Sequence, residues 1–421
     1  MGRSHPEDRR PRTRWTHLGR HAEADCWIAE AGGGQRRVLR DPKSSGRAQA
    51  GILTRYAYYF AGRAGQATGG RVAFIDGFAG EGRYEDGSDG SPLLLAAQAQ
   101  RAGLIKRDIK LAFVEPDADR RSRLKVALAD AGVVPDVVLS RPFESAVDDL
   151  LDRYSDRAIL IFVDPFGLGI TLEMLERILR LSSQRRPIDV LYHFSLLSVA
   201  RMGRAALGQG DSSPNAKQLD AALGSVGWRE QLAGISSESG AATRAALDIG
   251  RSFATVVAER TGVPSLGIPV RPRPDHVPKY LLTLFTKDPV GRALWDFADV
   301  AGNAHVDWLH HCSQQDYEAN VEAMARKGVM SLFGDEPAPD VSEIQEAVKV
   351  VALNYLPDHL VRVIGERDLV PVNDIEATYG ELLGRARETH LRSALQLLID
   401  DGRIEGDVKG AFRSRAFTRV R

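Results

Sequence analysis

The chain has 421 residues, 43% of them hydrophobic, enough to build two or three domains around proper cores. Its 56 basic and 56 acidic side chains cancel, so bulk charge singles out no partner. The two cysteines, Cys26 and Cys312, lie far apart without C-x-x-C spacing, which leaves no disulfide framework and no zinc knuckle.

Residues 1–45 read as a basic N-terminal extension, partly disordered, with Trp15 and Trp27 as isolated aromatics. Residues 1–63 hold thirteen Arg/Lys against six Asp/Glu. The first fourteen residues lack the apolar centre of a signal peptide, and no run of about 18 apolar residues marks a membrane span, so a cytoplasmic protein is expected. Residues 49–63 place Ile52, Leu53, Tyr56, Tyr59 and Phe60 at helical spacing, which predicts an amphipathic helix. Residues 72–75 then predict a buried strand ending on Asp76. A fourteen-residue connection, 77–90, follows, longer than the ~2–6 residues usual between strand and helix. Ser91-Pro92 reads as an N-cap with Pro at the first helical position, opening a helix over 93–102.

Strands are predicted over 109–114, 135–139, 158–163 and 188–194, alternating with helices over 117–131, 144–154 and 172–181. Strands that are apolar on both faces and alternate with helices predict a parallel sheet covered on each side. Residues 203–262 read as a helical insertion. Residues 266–272 and 279–287 read as two strands that close the sheet as an antiparallel pair. A Pro-rich acidic break at 333–339 separates an α/β domain over 46–332 from a unit over 341–421. Three helical patterns and a basic hairpin give that unit the order of a winged helix. Leu391, Ala394, Leu395 and Leu398 form its core stripe, with His390, Arg392 and Gln396 outward and Arg403, Lys409, Arg413 and Arg415 on the wing.

The stretch Asp76-Gly77-Phe78-Ala79-Gly80-Glu81-Gly82 is not the dinucleotide G-x-G-x-x-G. It resembles motif I of class I S-adenosylmethionine-dependent methyltransferases. In that light Asp76 would hold the methionine amino group of the cofactor, or else cap the turn by accepting backbone N–H bonds. Gly77, Phe78, Ala79, Gly80 and Gly82 would bring backbone close to the cofactor, or meet a turn's need for positive φ. Glu115, ending the second strand, can accept both ribose hydroxyls or simply complement a helix N-terminus. Glu144, after the third, could reach the adenine amino group.

Asp164, Pro165 and Phe166 stand where the fold presents its reaction centre, Asp164 near the reactive group and Phe166 as a stacking platform. The competing reading is a strand terminator with Phe166 in the core. Amino-methyltransferases place an Asp/Asn-Pro-Pro-aromatic tetrapeptide here to receive a flipped base; this chain lacks the second Pro, and its aromatic comes one place early. His193 and the run His310-His311-Cys312 read as structural or solvated. No metal is expected, because adjacent histidines lack the i, i+4 spacing of helical ligands.

Across about 50–330 the chain resembles the three-Cys-motif partner (TcmP) family of bacterial proteins. The match rests on Phe74-Ile-Asp-Gly-Phe-Ala-Gly-Glu-Gly-Arg-Tyr-Glu-Asp-Gly, Gly90-Ser-Pro-Leu, Phe113-Val-Glu-Pro-Asp and Phe162-Val-Asp-Pro-Phe-Gly. The resemblance implies a Rossmann-like class I methyltransferase sheet, S-adenosyl-L-methionine as cofactor, and a partner with a three-cysteine, radical-S-adenosylmethionine-like motif. The expected activity is methyl transfer to an amino group, in nucleic acid (RNA or DNA) or on a substrate shared with that partner. The alternative is a non-catalytic partner or scaffold that keeps the fold.

Overall fold

Short apolar runs broken by Gly, Asp and Pro become seven strands: β1 (Arg71–Asp76), β2 (Asp108–Val114), β3 (Val137–Leu139), β4 (Ala158–Val163), β5 (Ile188–Ser195), β6 (Ser265–Val270) and β7 (Tyr280–Phe285). They form one sheet in the order β3-β2-β1-β4-β5-β7-β6. Neighbours among β1–β5 are parallel, while β7 runs antiparallel to both β5 and β6. The α/β class and the antiparallel closure are therefore as the sequence predicts. The computed structural model describes residues 43–165, 167–224, 227–235, 238, 240–288, 291–326 and 337–420. The expected N-terminal extension as far as residue 42, Phe166 and most of the acidic break lie outside the described residues.

The helices that cover the sheet are α1 (Lys43–Ala64), α2 (Ser91–Gly103), α3 (Ala118–Asp130), α4 (Phe143–Arg153), α5 (Leu172–Arg180), α6 (Leu196–Gln209), α7 (Pro214–Leu223), α8 (Trp228–Leu232), α9 (Ala241–Thr261) and α10 (Arg292–Arg326). Period-2 alternation sends Val72, Phe74, Leu160 and Phe162 to one face, against α1, α2, α3 and α10. Ala73, Ile75, Ile159 and Ile161 face the other way, against α4, α5, α6 and α9. With both faces covered, every residue of β4 is buried. The stretch read as an insertion is helical, but α9 packs directly on β6 and β7, its Phe253 lying 5.5 Å from the Phe194 ring.

One buried cluster fixes how α1 lies. The Tyr56 hydroxyl donates to Asp189 Oδ2 at 2.6 Å, and Arg63 reaches Asp189 at 3.1 Å and Asp288 at 3.3 Å. Asp189 is the second residue of β5, so this pins the C-terminal half of α1 at the amino end of the sheet. Seven residues earlier, roughly 10 Å along the helix axis, Gln49 arrives at the carboxyl end. Among the described residues no helix is long and apolar enough to cross a membrane.

After the break come α11 (Val341–Glu366), α12 (Ile375–Tyr379), α13 (Glu388–Asp400) and a small ladder of β8 (Ile404–Glu405) and β9 (Thr418–Arg419). Their apolar side chains share one core with the first face of the sheet. Trp295 of α10 packs on Tyr379 at 5.7 Å and Phe412 at 6.0 Å, and its Nε1 donates to Glu388 at 2.6 Å.

Three local expectations need correcting. Gly90, not Ser91, caps α2, because the extended backbone falls at Gly90 and Ser91 already lies in the first turn. His390 is buried, not outward, since it joins the stripe of Leu391 and Ala394 and accepts the Arg387 N–H. The wing arginines are engaged: Arg413 turns inward to Asp296 at 3.4 Å and Glu388 at 3.6 Å, Arg403 meets Asp358, and Arg415 pairs with Asp407. The open face of α13 presents Thr389, Ser393, Gln396 and Asp400, none of them basic.

Candidate functional site

Strand order reverses direction between β1 and β4, the switch point at which open α/β sheets form a crevice at their carboxyl ends. Asp76 ends β1 and Asp164 directly follows β4, so the sheet's topology places both at that crevice.

Asp76 is fully buried. Its Oδ1 accepts the Phe78 N–H at 3.1 Å, while Oδ2 has no hydrogen-bond partner. Burial pushes its carboxyl up to about 7; the Ser91 side chain and the Phe78 N–H oppose that rise, and Asp164 and Glu115 add to it. A buried carboxylate oxygen that completes no hydrogen bond is rare in native proteins, and here the Ser91 side chain is the neighbouring donor besides the Phe78 N–H.

The glycines of the turn divide by role. A Cβ on Gly77 would meet the Phe143 ring at 3.0 Å, and one on Gly82 would meet Ala127 and Leu124 at 3.1 Å, so both are demanded by packing. Gly80, at φ +62°, faces open space. Phe78 packs half-buried on Phe143, with ring centroids 5.8 Å apart. Ala79 is buried and ties the turn to β2 through its N–H to the Val114 carbonyl at 3.0 Å.

Glu115 is engaged by backbone before any ligand. Its Oε2 accepts the Gly80 N–H at 3.0 Å and its Oε1 the Asp117 N–H at 2.9 Å. The carboxylate thus clamps the glycine turn against β2, and each oxygen keeps a lone-pair site. Glu144 stands exposed in the first turn of α4, one residue beyond Phe143.

The rest of the connection folds into a compact hairpin closed by an Arg83–Asp89 bridge, with the Tyr84 N–H on the Ser88 carbonyl at 2.9 Å. Tyr84 is 55% exposed as a residue. Its hydroxyl is nevertheless raised, by local burial and then by the Asp164 and Asp76 carboxylates, so it stands within their electrostatic reach.

Around Asp164 the structure assembles residues that sequence reasoning missed. The register Val163↔Tyr192, carried one step further, sets Asp164 beside His193. Asp164 Oδ1 bonds His193 Nδ1, and Oδ2 accepts from Gln49 Nε2 at 2.6 Å. His193 lies over the Tyr280 ring, centroids 4.0 Å apart. With Asp164 Oδ1 as the acceptor, His193 Nδ1 carries the hydrogen and Nε2 points the other way round the ring. Each Asp164 oxygen therefore has one protein partner and keeps a further lone-pair site. Pro165 is buried, wedged where a Cβ on Gly169 would lie 2.1 Å from its ring, and so shapes the turn from within. The expected platform, Phe166, lies outside the described residues.

No protein-family model matches the chain, and no curated protein does. Among solved structures, the plantazolicin methyltransferase BamL, in complex with a triazolic desmethylPZN analog and SAH, is similar at 13% identity and a TM-score of 0.30 over 58% of this chain and 85% of that one. The SAH-bound Podospora anserina methyltransferase PaMTH1 is similar at 14% identity, with a TM-score of 0.26, over 56% and 88%. The plantazolicin methyltransferase BpumL, in complex with SAH, follows at 12% and 0.28 over 58% and 95%. Likeness at this level carries no inference about chemistry, which has to be read from the residues.

Proposed function

We propose that the chain is an S-adenosylmethionine-dependent methyltransferase whose acceptor is deprotonated by an Asp164–His193 pair. The observation that carries this reading is the orphaned Oδ2 of Asp76, buried at the carboxyl end of β1 beside an open glycine turn. An ammonium group donates to such an oxygen and compensates its burial, and the methionine end of the cofactor supplies one. Gly80, with no side chain and open space before it, lets backbone approach; Glu115, already oriented by two N–H groups, offers its remaining lone pairs to ribose hydroxyls. When bound, the cofactor supplies an electrophilic methyl group on a sulfonium.

The chain's own part is positioning and proton removal. Gln49 and His193 fix both oxygens of Asp164; Asp164 holds the imidazole in one orientation as Nε2 takes a proton from the acceptor. Resemblance to the three-Cys-motif partner family supports an amino group as acceptor, in nucleic acid or on a substrate shared with a radical-S-adenosylmethionine-like partner. The departure from Asp-Pro-Pro-aromatic favours the second reading, a non-catalytic partner that keeps the fold.

Calorimetry with S-adenosylmethionine separates the two. Because the ammonium requires an ionised Asp76, affinity should fall on the order of tenfold between pH 8 and pH 6 as the carboxyl protonates. Replacing Asp76 by Asn should abolish that dependence along with most of the binding. Transfer of labelled methyl to RNA, DNA or the co-expressed partner should be lost in His193→Ala while cofactor affinity holds. Absence of binding at millimolar cofactor would leave the scaffold reading standing.

A further inference from the structure

A cavity of about 970 Å³ lies between β6, α1, α9, α10, α11 and the segment after α12. That volume is at the upper end of the ~300–1,000 Å³ of small-molecule sites. Its walls are largely apolar, with Ile268, Val270, Leu247 and Val348 among them. Arg271 and Arg385 are among the lining residues, and among the described residues neither forms an ion pair with a carboxylate. Burial and the Arg385 charge lower Arg271 to about 10, and burial lowers Arg385, with only Glu381 opposing it from a distance.

The other charged groups on the lining are already matched or silent. Arg244 pairs with Glu238 at 2.8 Å, and Asp275 lies out in solvent beside His276. His305 is held down to about 3 by burial and by the two arginines, so it is neutral at ordinary pH. Trp308 adds a flat wall, and its buried Nε1 has no partner. Two like charges withdrawn from water with no counter-charge are costly as they stand. An anion between them would convert the cost into charge-assisted, forked hydrogen bonds.

We propose that this cavity binds a small amphipathic anion, a phosphate or carboxylate head on an apolar body, with Arg271 and Arg385 gripping the head and Trp308 flanking the body. On the methyltransferase reading the methyl acceptor would sit here, since two lining residues adjoin the Asp164 cluster along the sheet or the chain. Val270 of β6 pairs with Tyr280, the ring against His193, and Ala48 on the lining precedes Gln49, which holds Asp164. The acceptor role rests on the methyltransferase reading; the anion site does not.

The test uses the full chain without cofactor and three probes: phenyl phosphate, decanoate and inorganic phosphate. Either amphipathic probe should bind with a Kd at or below about 1 mM, raise the unfolding midpoint and bind more tightly than inorganic phosphate. Which of the two binds identifies the head group. In Arg271→Gln/Arg385→Gln binding should weaken at least tenfold, on the scale of a charge-assisted bond, while the unliganded midpoint rises because the repulsion is gone. Ala347→Phe, which puts a ring into the cavity and leaves both charges, should weaken binding of the apolar body and serves if the double variant misfolds. Failure of both amphipathic probes to bind at about 10 mM, or undiminished binding in these variants, overturns the proposal. Anion binding that tracks the arginines, in a chain that never binds S-adenosylmethionine, would sink the methyltransferase reading and leave the site standing.

Discussion

Under the proposed cofactor contact, ligand binding and stability pull in opposite directions at Asp76. With its carboxyl raised from 3.8 to about 7, the folded chain resists ionisation that the unfolded chain accepts from about pH 4 upward. The Asp76 contribution to stability is therefore whole below pH 4, falls as pH rises toward 7, and levels off above it. Asp76→Asn keeps an acceptor for the Phe78 N–H and has nothing to ionise. It should match the wild type near pH 4 and exceed it by on the order of 2–4 kcal/mol at pH 8. Urea unfolding of both proteins at pH 4, 5.5, 7 and 8 reads this directly. A gain that does not grow with pH would show that burial is not what shifts the group. His305 and His390, depressed to about 3 and about 4, act the other way. The unfolded chain takes up their protons below about pH 6.5 while the folded chain refuses them, so both proteins should lose stability together on the acid side.

At the scale of elements, the long connection after β1 shows what a sequence can and cannot tell. Its length and acid-glycine pattern mark a site, and the strand-end acids Asp76, Glu115 and Asp164 are legible because each closes an apolar run. Which glycine meets a ligand is not legible, since that depends on what α3 and α4 press against the turn. Gly80→Ala meets no atom and should cost only the ~1–2 kcal/mol of forcing a side chain to positive φ, while weakening S-adenosylmethionine binding. Gly82→Ala combines positive φ with contact on Leu124 and Ala127, and Gly77→Ala strikes the Phe143 ring. Both should lower the unfolding midpoint more than Gly80→Ala does. Equal losses across the three would deny Gly80 its separate role. Gln49 gave no signal at all, because its bond to Asp164 spans 115 residues and exists only once α1 is pinned at Asp189. His193 did leave one: a titratable residue interrupting an apolar strand, in line with Asp164 across the register.

Across the whole molecule, the alternation of strands and helices carried most of the architecture, since each apolar run is long enough for a strand and each helix shows its stripe. What alternation does not carry is how far one core extends. The acidic break at 333–339 suggests a hinge between two units. Yet the apolar residues of α11, α12, α13 and the β8–β9 ladder join the core built by α1 and α10. Charge follows the same seam. The Glu388 N–H donates to Asp299 at 2.7 Å, and Arg413 answers Asp296 and Glu388, so this one residue of the expected wing binds the C-terminal elements to α10. Neutralising Arg413 should accordingly lower stability more than it lowers retention on RNA or DNA. The two halves should also unfold as one. Hydrogen exchange followed by mass spectrometry should give amides of β4 and α13 the same opening free energy. Trp295→Phe loses the bond to Glu388 and part of the contact with Tyr379 and Phe412. It should lower both openings by the same amount, on the order of 1–3 kcal/mol. Protection in α13 that falls alone, with β4 unchanged, would mean that the C-terminal elements open independently, and the shared core would then be a contact between two domains.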